Sequence, residues 1–216
     1  MAYRAIIFDL DGTLIDQFRA IHHAFSTTIV EMGFDAPSYD EVRRAVGGAS
    51  EATMTLLIGK KRAKEAVARL RPIFEQVMLD GLTALPFALE SLSLLTRAGL
   101  KTAVLTNKYG PHARAACDHL GFSRHLQFTL GADDTEWKKP QPELTNHVLA
   151  KLGVTASEAV YIGDSPYDYQ TAKNAGMDSI LVATGTHSAE ELSSLGSTNV
   201  LQDLNEVTNQ LLQAIG

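Results

Sequence analysis

The stretch from Tyr3 to Ile15, YRAIIFDLDGTLI, leaves the chain little freedom in how it folds. Ala5-Ile6-Ile7-Phe8 is a short apolar run with β-branched residues, the pattern of a strand buried on both faces. Such strands belong to parallel sheets covered by helices on either side. The run stops at Asp9-Leu10-Asp11-Gly12-Thr13, where two carboxylates flank one leucine and a glycine permits a sharp turn. A buried strand that ends in acids delivers them to a fixed place instead of solvating them.

After Ile15 strand patterning disappears and helical spacing takes over as far as Gly81. Phe18, Ile21, Phe25, Ile29 and Met32 form one stripe, which Asp16 can cap and Gly33 can close. Ser38 and Glu41 form a capping box ahead of a short helix ending at Gly47-Gly48. A third helix is expected from Ser50 to Ile58. A fourth, through Val67, Leu70, Phe74 and Val77, is expected to be kinked or interrupted at Pro72. From Pro86 onward helix and strand alternate. Strands are predicted at Thr102–Leu105, Leu126–Leu130, Ala159–Ile162 and Ser179–Val182, and a last helix from about Asp203. Repeated βα units give a mostly parallel, Rossmann-like doubly wound sheet. The expected architecture is therefore α/β: a core of residues 1–15 and 82–216, with an all-helical cap at 16–81 inserted after the first strand. The two crossings, near Ile15–Gln17 and Gly81–Leu85, are expected to act as hinges that let the cap open and close.

Composition narrows the partners. The 216 residues carry a formal charge of −6, which argues against nucleic acid or an anionic membrane surface. No apolar run reaches the roughly 20 residues of a bilayer span, and no basic-then-apolar signal layout is present. Cys117 is the only cysteine, so no internal disulfide can form and a cytoplasmic setting is expected. Cys117 itself is expected to be a packed free thiol.

Ligands of such sheets bind at the carboxyl ends of the strands, where the strand order switches. Those ends give Asp9 and Asp11, then Thr106 and Asn107, then Asp164 and Asp168, with Lys138-Lys139-Pro140-Gln141-Pro142 between the third and fourth strands. Four converging carboxylates need counter-charge, and their hard oxygen donors suit a divalent cation, best Mg²⁺. Asp133 and Asp134 read as loop stabilisers. Arg43 and Arg44 form a basic helix end before the Gly47-Gly48 loop, a combination expected to reach over the crevice and contact the substrate's leaving group.

These motifs, in this order and on these strand ends, resemble the haloacid dehalogenase superfamily, in its large branch of phosphatases with a helical cap. Thr106-Asn107-Lys108 and Gly131-Ala132-Asp133-Asp134 ahead of Lys138-Lys139-Pro140 look most like the phosphoglycolate phosphatase group. The resemblance implies that Asp9 is the nucleophile, forming an aspartyl-phosphate, and that Asp11 is the acid/base. It implies that Thr106, Asn107 and Lys139 bind the phosphoryl group. It assigns Mg²⁺ to the Asp9 carboxylate, the Asp11 main-chain carbonyl and Asp164, with Asp168 behind them holding metal waters or Lys139. The expected activity is Mg²⁺-dependent hydrolysis of a small phosphorylated metabolite, 2-phosphoglycolate being one, by a monomer or homodimer. Alternatives from the same superfamily are a sugar phosphomutase and a pyrophosphatase or nucleotidase. A 2-haloacid dehalogenase needs no acid at the second position, so Asp11 and Asp164 argue against it. A silent binding protein would be expected to have lost Asp9, Asp11, Lys139 or Asp164. The family pattern is broken at Gln17, where many relatives carry a small hydroxyl residue, and at Pro86-Phe87, which replaces a Pro-Gly turn.

Overall fold

The computed structural model describes residues 3–214. Strand β1 is Ala5–Phe8, and a short β2, Ile15–Asp16, follows the acid-bearing turn. Four helices come next: α1 (Phe18–Glu31), α2 (Tyr39–Ala45), α3 (Ser50–Ile58) and α4 (Lys60–Val77). Strand β3 (Thr83–Ala84) pairs antiparallel with β2, Ile15 opposite Ala84 and Asp16 opposite Thr83. The two chain crossings of the helical insertion are thus one two-stranded ribbon. Gln17 adds a tie there: buried, it donates through Nε2 to the carbonyl of Met78 at the end of α4.

The rest of the chain is α5 (Ala88–Arg97), β4 (Lys101–Leu105), α6 (Gly110–His119), β5 (Thr129–Leu130) and α7 (Pro142–Leu152). A 3₁₀ turn at Ala156–Glu158 leads into β6 (Ala159–Gly163), followed by α8 (Pro166–Asn174) and β7 (Asp178–Val182). The chain continues through α9 (Ala189–Ser194), β8 (Val200–Leu201) and α10 (Leu204–Gln213). The main sheet has six strands in the order β5-β4-β1-β6-β7-β8, all parallel. β1 lies near its middle, between β4 and β6, where the order reverses.

Burial on both faces can be followed residue by residue. Ile6 and Phe8 of β1 enter one hydrophobic core with Val104, Val160 and Ile162, while Ala5 and Ile7 enter the other with Ala103, Leu105 and Tyr161. A period of two in a fully apolar strand thereby serves two cores at once. Each large side chain buried this way contributes about 1.5–3 kcal/mol. The insertion has a third core of its own, built from Phe18, Ile21, Phe25, Ile29, Met54, Leu70 and Phe74 among others. Helix–helix packing in the cap and helix–sheet packing in the body therefore each close on their own apolar faces.

Three expectations are corrected. Helix α4 runs unbroken through Pro72, because Ala63, Ala66, Leu70 and Phe74 keep one buried stripe on both sides of the proline. The strand foreseen from Leu126 shrinks to Thr129–Leu130. Before that, the edge segment touches β4 only through single bonds, such as Gln127 N–H to the Thr102 carbonyl at 2.8 Å. Helix α9 and strand β8 were not foreseen: they are six and two residues long, and only Leu192 of α9 is fully buried.

Candidate active site

The carboxyl ends of β1, β4 and β6 open into a crevice of about 290 Å³, roofed by the cap. Its floor is the turn that follows β1. Gly12 sits there at φ +85°, and a Cβ on it would come within 2.6 Å of the Asp164 carboxylate, so backbone angle and close approach both require glycine. The turn is fixed from β7's side by Thr184, whose hydroxyl donates to the Gly12 carbonyl at 2.7 Å.

Asp9, Asp164 and Asp168 are all buried, and one carboxylate oxygen from each lies within 4.8 Å of the others. Among them sits Lys139, its side chain 1% exposed, with Nζ 2.9 Å from Asp9 Oδ1 and 2.7 Å from Asp168 Oδ1. The Lys139 ammonium also donates to the Tyr161 hydroxyl at 3.1 Å, which in turn donates to the Leu105 carbonyl at the end of β4. Asp168 is fully engaged. Its second oxygen accepts from the backbone N–H groups of Asp164 and Ser165 and from the Ser165 hydroxyl, at 3.1, 3.0 and 2.5 Å. Asp164 accepts from Thr13 and from both the N–H and the hydroxyl of Thr186.

Three carboxylates against one ammonium leave an excess of negative charge in a dry place. Burial pushes Asp9 up to about 6, with Lys139 opposing and Asp168 adding to the rise. Burial, then Asp168 and Asp9, pushes Asp164 up to about 8. Burial would pull Lys139 down, but Asp168 and Asp9 outweigh it and hold the ammonium well above its ordinary value. Asp9 Oδ1 has only the Lys139 ammonium, at 2.9 Å, against it. A buried carboxylate beside two further carboxylates, with negative charge in excess, is a donor set that fits a hard divalent cation. The Asp9, Asp164 and Asp168 group can thus hold a metal ion.

The other expected residues separate into those that face the crevice and those that do not. Asp11 lines it, and both its oxygens meet Lys108 Nζ, at 3.1 and 3.0 Å. Thr106 lines it too. Its Oγ1 accepts from the Lys108 N–H at 3.2 Å, so its own hydroxyl hydrogen remains to donate. Asn107 is spoken for: its amide donates to the carbonyls of Gly47 and Lys139 at 3.0 and 3.3 Å and accepts from the Lys139 N–H at 3.1 Å. Through it the cap loop, the β4 end and the lysine-proline loop become one unit. Gly47 and Gly48 line the crevice, resting on the Tyr167 ring.

Arg43 and Arg44 are not among the residues lining the crevice. Arg43 donates to the Gly185 carbonyl and lies over the Phe18 ring, and Arg44 pairs with Glu191 at 3.5 Å, so both clasp the cap to the core. Asp133 and Asp134 hold the loop after β5 by accepting from Gly110 N–H and Gly131 N–H. Cys117 is packed in the core, its thiol pushed up to about 11 by burial. Three crevice residues carry signals that sequence reasoning passed over: Lys108, Arg71 and His112. Lys108 stands directly beside the Thr106-Asn107 pair. Arg71 and His112 meet only through the fold, Arg71 over the Tyr109 ring at 4.2 Å and His112 against Glu75 at 3.1 Å.

Fold and floor together define an α/β protein whose capped crevice ends in a cluster of buried carboxylates. The model of the haloacid dehalogenase-like hydrolases matches residues 6–182, and the chain belongs to that family. It is 34% identical over 192 residues to the phosphoglycolate phosphatase of Rhodobacter capsulatus, covering 84% of each chain. It is 33% identical over 211 residues to that of Rhodospirillum rubrum, covering 93% of this chain and 87% of the other. Among solved structures, a haloacid dehalogenase-like family hydrolase from Streptococcus pneumoniae superposes with a TM-score of 0.87 at 22% identity, covering 96% of this chain and 98% of that one. A hydrolase from Pseudomonas syringae gives 0.85 at 23%, covering 97% and 98%. The protein is thus a haloacid dehalogenase-like hydrolase. No helix among the described residues is long and apolar enough to cross a membrane.

Proposed function

We propose that this enzyme hydrolyses a small-molecule phosphate monoester through an aspartyl-phosphate on Asp9, with Mg²⁺ as its metal and 2-phosphoglycolate as the first substrate to try. The observation that carries the reading is the arrangement around Asp9: a buried carboxylate at the end of the central strand, beside Lys139 and open to a crevice that Asp11 also lines. An Asp9 oxygen attacks phosphorus and the bond to the leaving oxygen breaks, with Asp11 giving that oxygen its proton. Water then attacks the same phosphorus, Asp11 takes the water's proton, and orthophosphate leaves with Asp9 restored. Thr106 donates its hydroxyl to the phosphoryl oxygens, and Lys139 supplies positive charge against them as transfer proceeds.

Mg²⁺ would be held by the Asp9 and Asp164 carboxylates and the Asp11 main-chain carbonyl, and would neutralise charge on the phosphoryl oxygens. Asp168, whose Oδ1 accepts from the Lys139 ammonium at 2.7 Å, serves to hold Lys139 in place beside the ligands. The relatives named phosphoglycolate phosphatase and the modest crevice volume both favour a small ester.

The test is orthophosphate release from a panel of phosphorylated metabolites, with Mg²⁺ and with EDTA. Release that needs Mg²⁺ is expected, and Asp9→Asn should abolish it while leaving the folded state intact. Ordinary turnover by a clean Asp9→Asn preparation would overturn the nucleophile assignment. An isomerised sugar phosphate without free orthophosphate would make the enzyme a mutase instead.

A further inference from the structure

Lys108 has no part in the chemistry derived above, yet it is among the most firmly placed side chains of the crevice. Its backbone is fixed at both ends: the N–H donates to Thr106 Oγ1 at 3.2 Å, and the carbonyl accepts from Ala132 N–H at 2.8 Å. The wall behind it has no slack, since a Cβ on Gly131 would meet the Lys108 carbonyl at 2.7 Å. From that anchor the side chain reaches both oxygens of Asp11, with lysine and aspartate 7% and 11% exposed. On its other side the ammonium lies 4.8 Å from the ring centroid of Phe74, a residue of cap helix α4. An exposed ion pair would mean little, but a nearly buried one contacting both carboxylate oxygens fixes the carboxylate's rotamer.

We infer that Lys108 is a positioning residue for Asp11, aiming its carboxyl at the leaving oxygen and linking that aim to the seat of the cap through Phe74. The inference rests on the reading of Asp11 as acid/base. A lysine whose main-chain N–H donates to the hydroxyl of the phosphate-site threonine places Asp11 relative to Thr106, and thus relative to the phosphoryl group. If the cap lifts, Phe74 leaves the ammonium and one of the two contacts that define its position is lost. Proton transfer would then be at full strength only beneath a seated cap, where water is excluded.

General acid catalysis matters for an alkoxide leaving group and little for nitrophenolate, and that difference supplies the test. Wild type, Lys108→Met, Lys108→Arg, Asp11→Asn and the double variant Lys108→Met/Asp11→Asn are compared on 2-phosphoglycolate and p-nitrophenyl phosphate. For each, kcat/KM reports the step that expels the leaving group. Lys108→Met should lower kcat/KM on 2-phosphoglycolate about tenfold to hundredfold, a fraction of what general acid catalysis supplies. The loss on p-nitrophenyl phosphate should be several times smaller, and Lys108→Arg should recover part of the activity. In the Asp11→Asn background, Lys108→Met should cost nothing further, because its effect runs through Asp11.

Equal losses on the two esters, or a full additional loss in the double variant, would overturn the inference and make Lys108 a phosphate ligand or a structural residue. A change confined to KM on 2-phosphoglycolate would overturn it in favour of a substrate-carboxylate ligand. A wild type that releases orthophosphate from neither ester would bring down the proposed function and this inference together, an outcome readily told apart from the others.

Discussion

Phe87 is the one described residue other than glycine with a positive φ, 65°, and it stands as N-cap of α5. In the Pro86-Phe87 turn the phenylalanine takes the left-handed conformation that glycine adopts most readily. A bulky side chain in the left-handed region costs roughly 1–2 kcal/mol, and with the ring 43% exposed burial returns a comparable amount. Phe87→Gly should therefore leave the stability within about 1 kcal/mol of the wild type, read as a nearly unchanged Tm with unchanged orthophosphate release. A lower Tm would mean that ring packing outweighs the strain. The same scale separates what could be read in the residues from what could not. Asp9, Asp11, Asp164 and Lys139 stood out because strands and turns place them by local rules, and the fold brings Asp9, Lys139, Asp164 and Asp168 into contact. Asn107 reads as a phosphate-site residue and does line the crevice; that its amide also bridges two loops is a use created by Gly47 and Lys139 arriving from elsewhere. Arg43 and Arg44 read as crevice residues, but their partners Gly185 and Glu191 lie in a segment where no element was foreseen.

At the scale of elements, periodicity was informative wherever an element was long enough to carry a stripe. The bounds of α3 and the capping boxes at Ser38 and Ser188 follow rules of a few residues, yet α9 was missed because one buried leucine makes no stripe. Pro72 reads as a kink or an interruption, and the helix is not interrupted there because propensity is a weak term beside a continuous buried face. That helix carries Arg71, Phe74 and Glu75, which meet Tyr109, Lys108 and His112 across the seam between cap and core. Proline in a helix interior removes a hydrogen bond and crowds the preceding turn, a cost of about 3 kcal/mol in an exposed helix. Pro72 is solvent-exposed and absent from the crevice wall. Pro72→Ala should therefore raise the Tm of the cap by the equivalent of about 1–3 kcal/mol without lowering kcat/KM. A stabilised cap with much slower turnover would show instead that the proline sets the angle at which α4 meets the core.

For the whole molecule, the sheet gathers acids from β1 and β6 into one dry site, and this choice governs how stability responds to pH and metal. Asp9 rises from 3.8 to about 6 and Asp164 from 3.8 to about 8, burial being the first cause in both. Between those limits the metal-free folded protein keeps protons that the unfolded chain has released, so stability falls as pH climbs from about 4 through 6 and on to 8. A divalent cation held there would reverse the preference, since it would bind the ionised carboxylates of the folded state and add stability by mass action. In EDTA the wild type should lose stability relative to Asp164→Asn as pH climbs across that range. With Mg²⁺ in excess the decline should flatten or invert, and the gain in Tm from Mg²⁺ should grow with pH. Asp164→Asn should remove most of the pH slope in EDTA and most of the Mg²⁺ response together, because one carboxylate is responsible for the larger part of both. A wild type indifferent to Mg²⁺ at about pH 8, or one whose stability in EDTA does not fall relative to Asp164→Asn as pH rises, would show that the excess charge at the floor is met by something other than a bound cation.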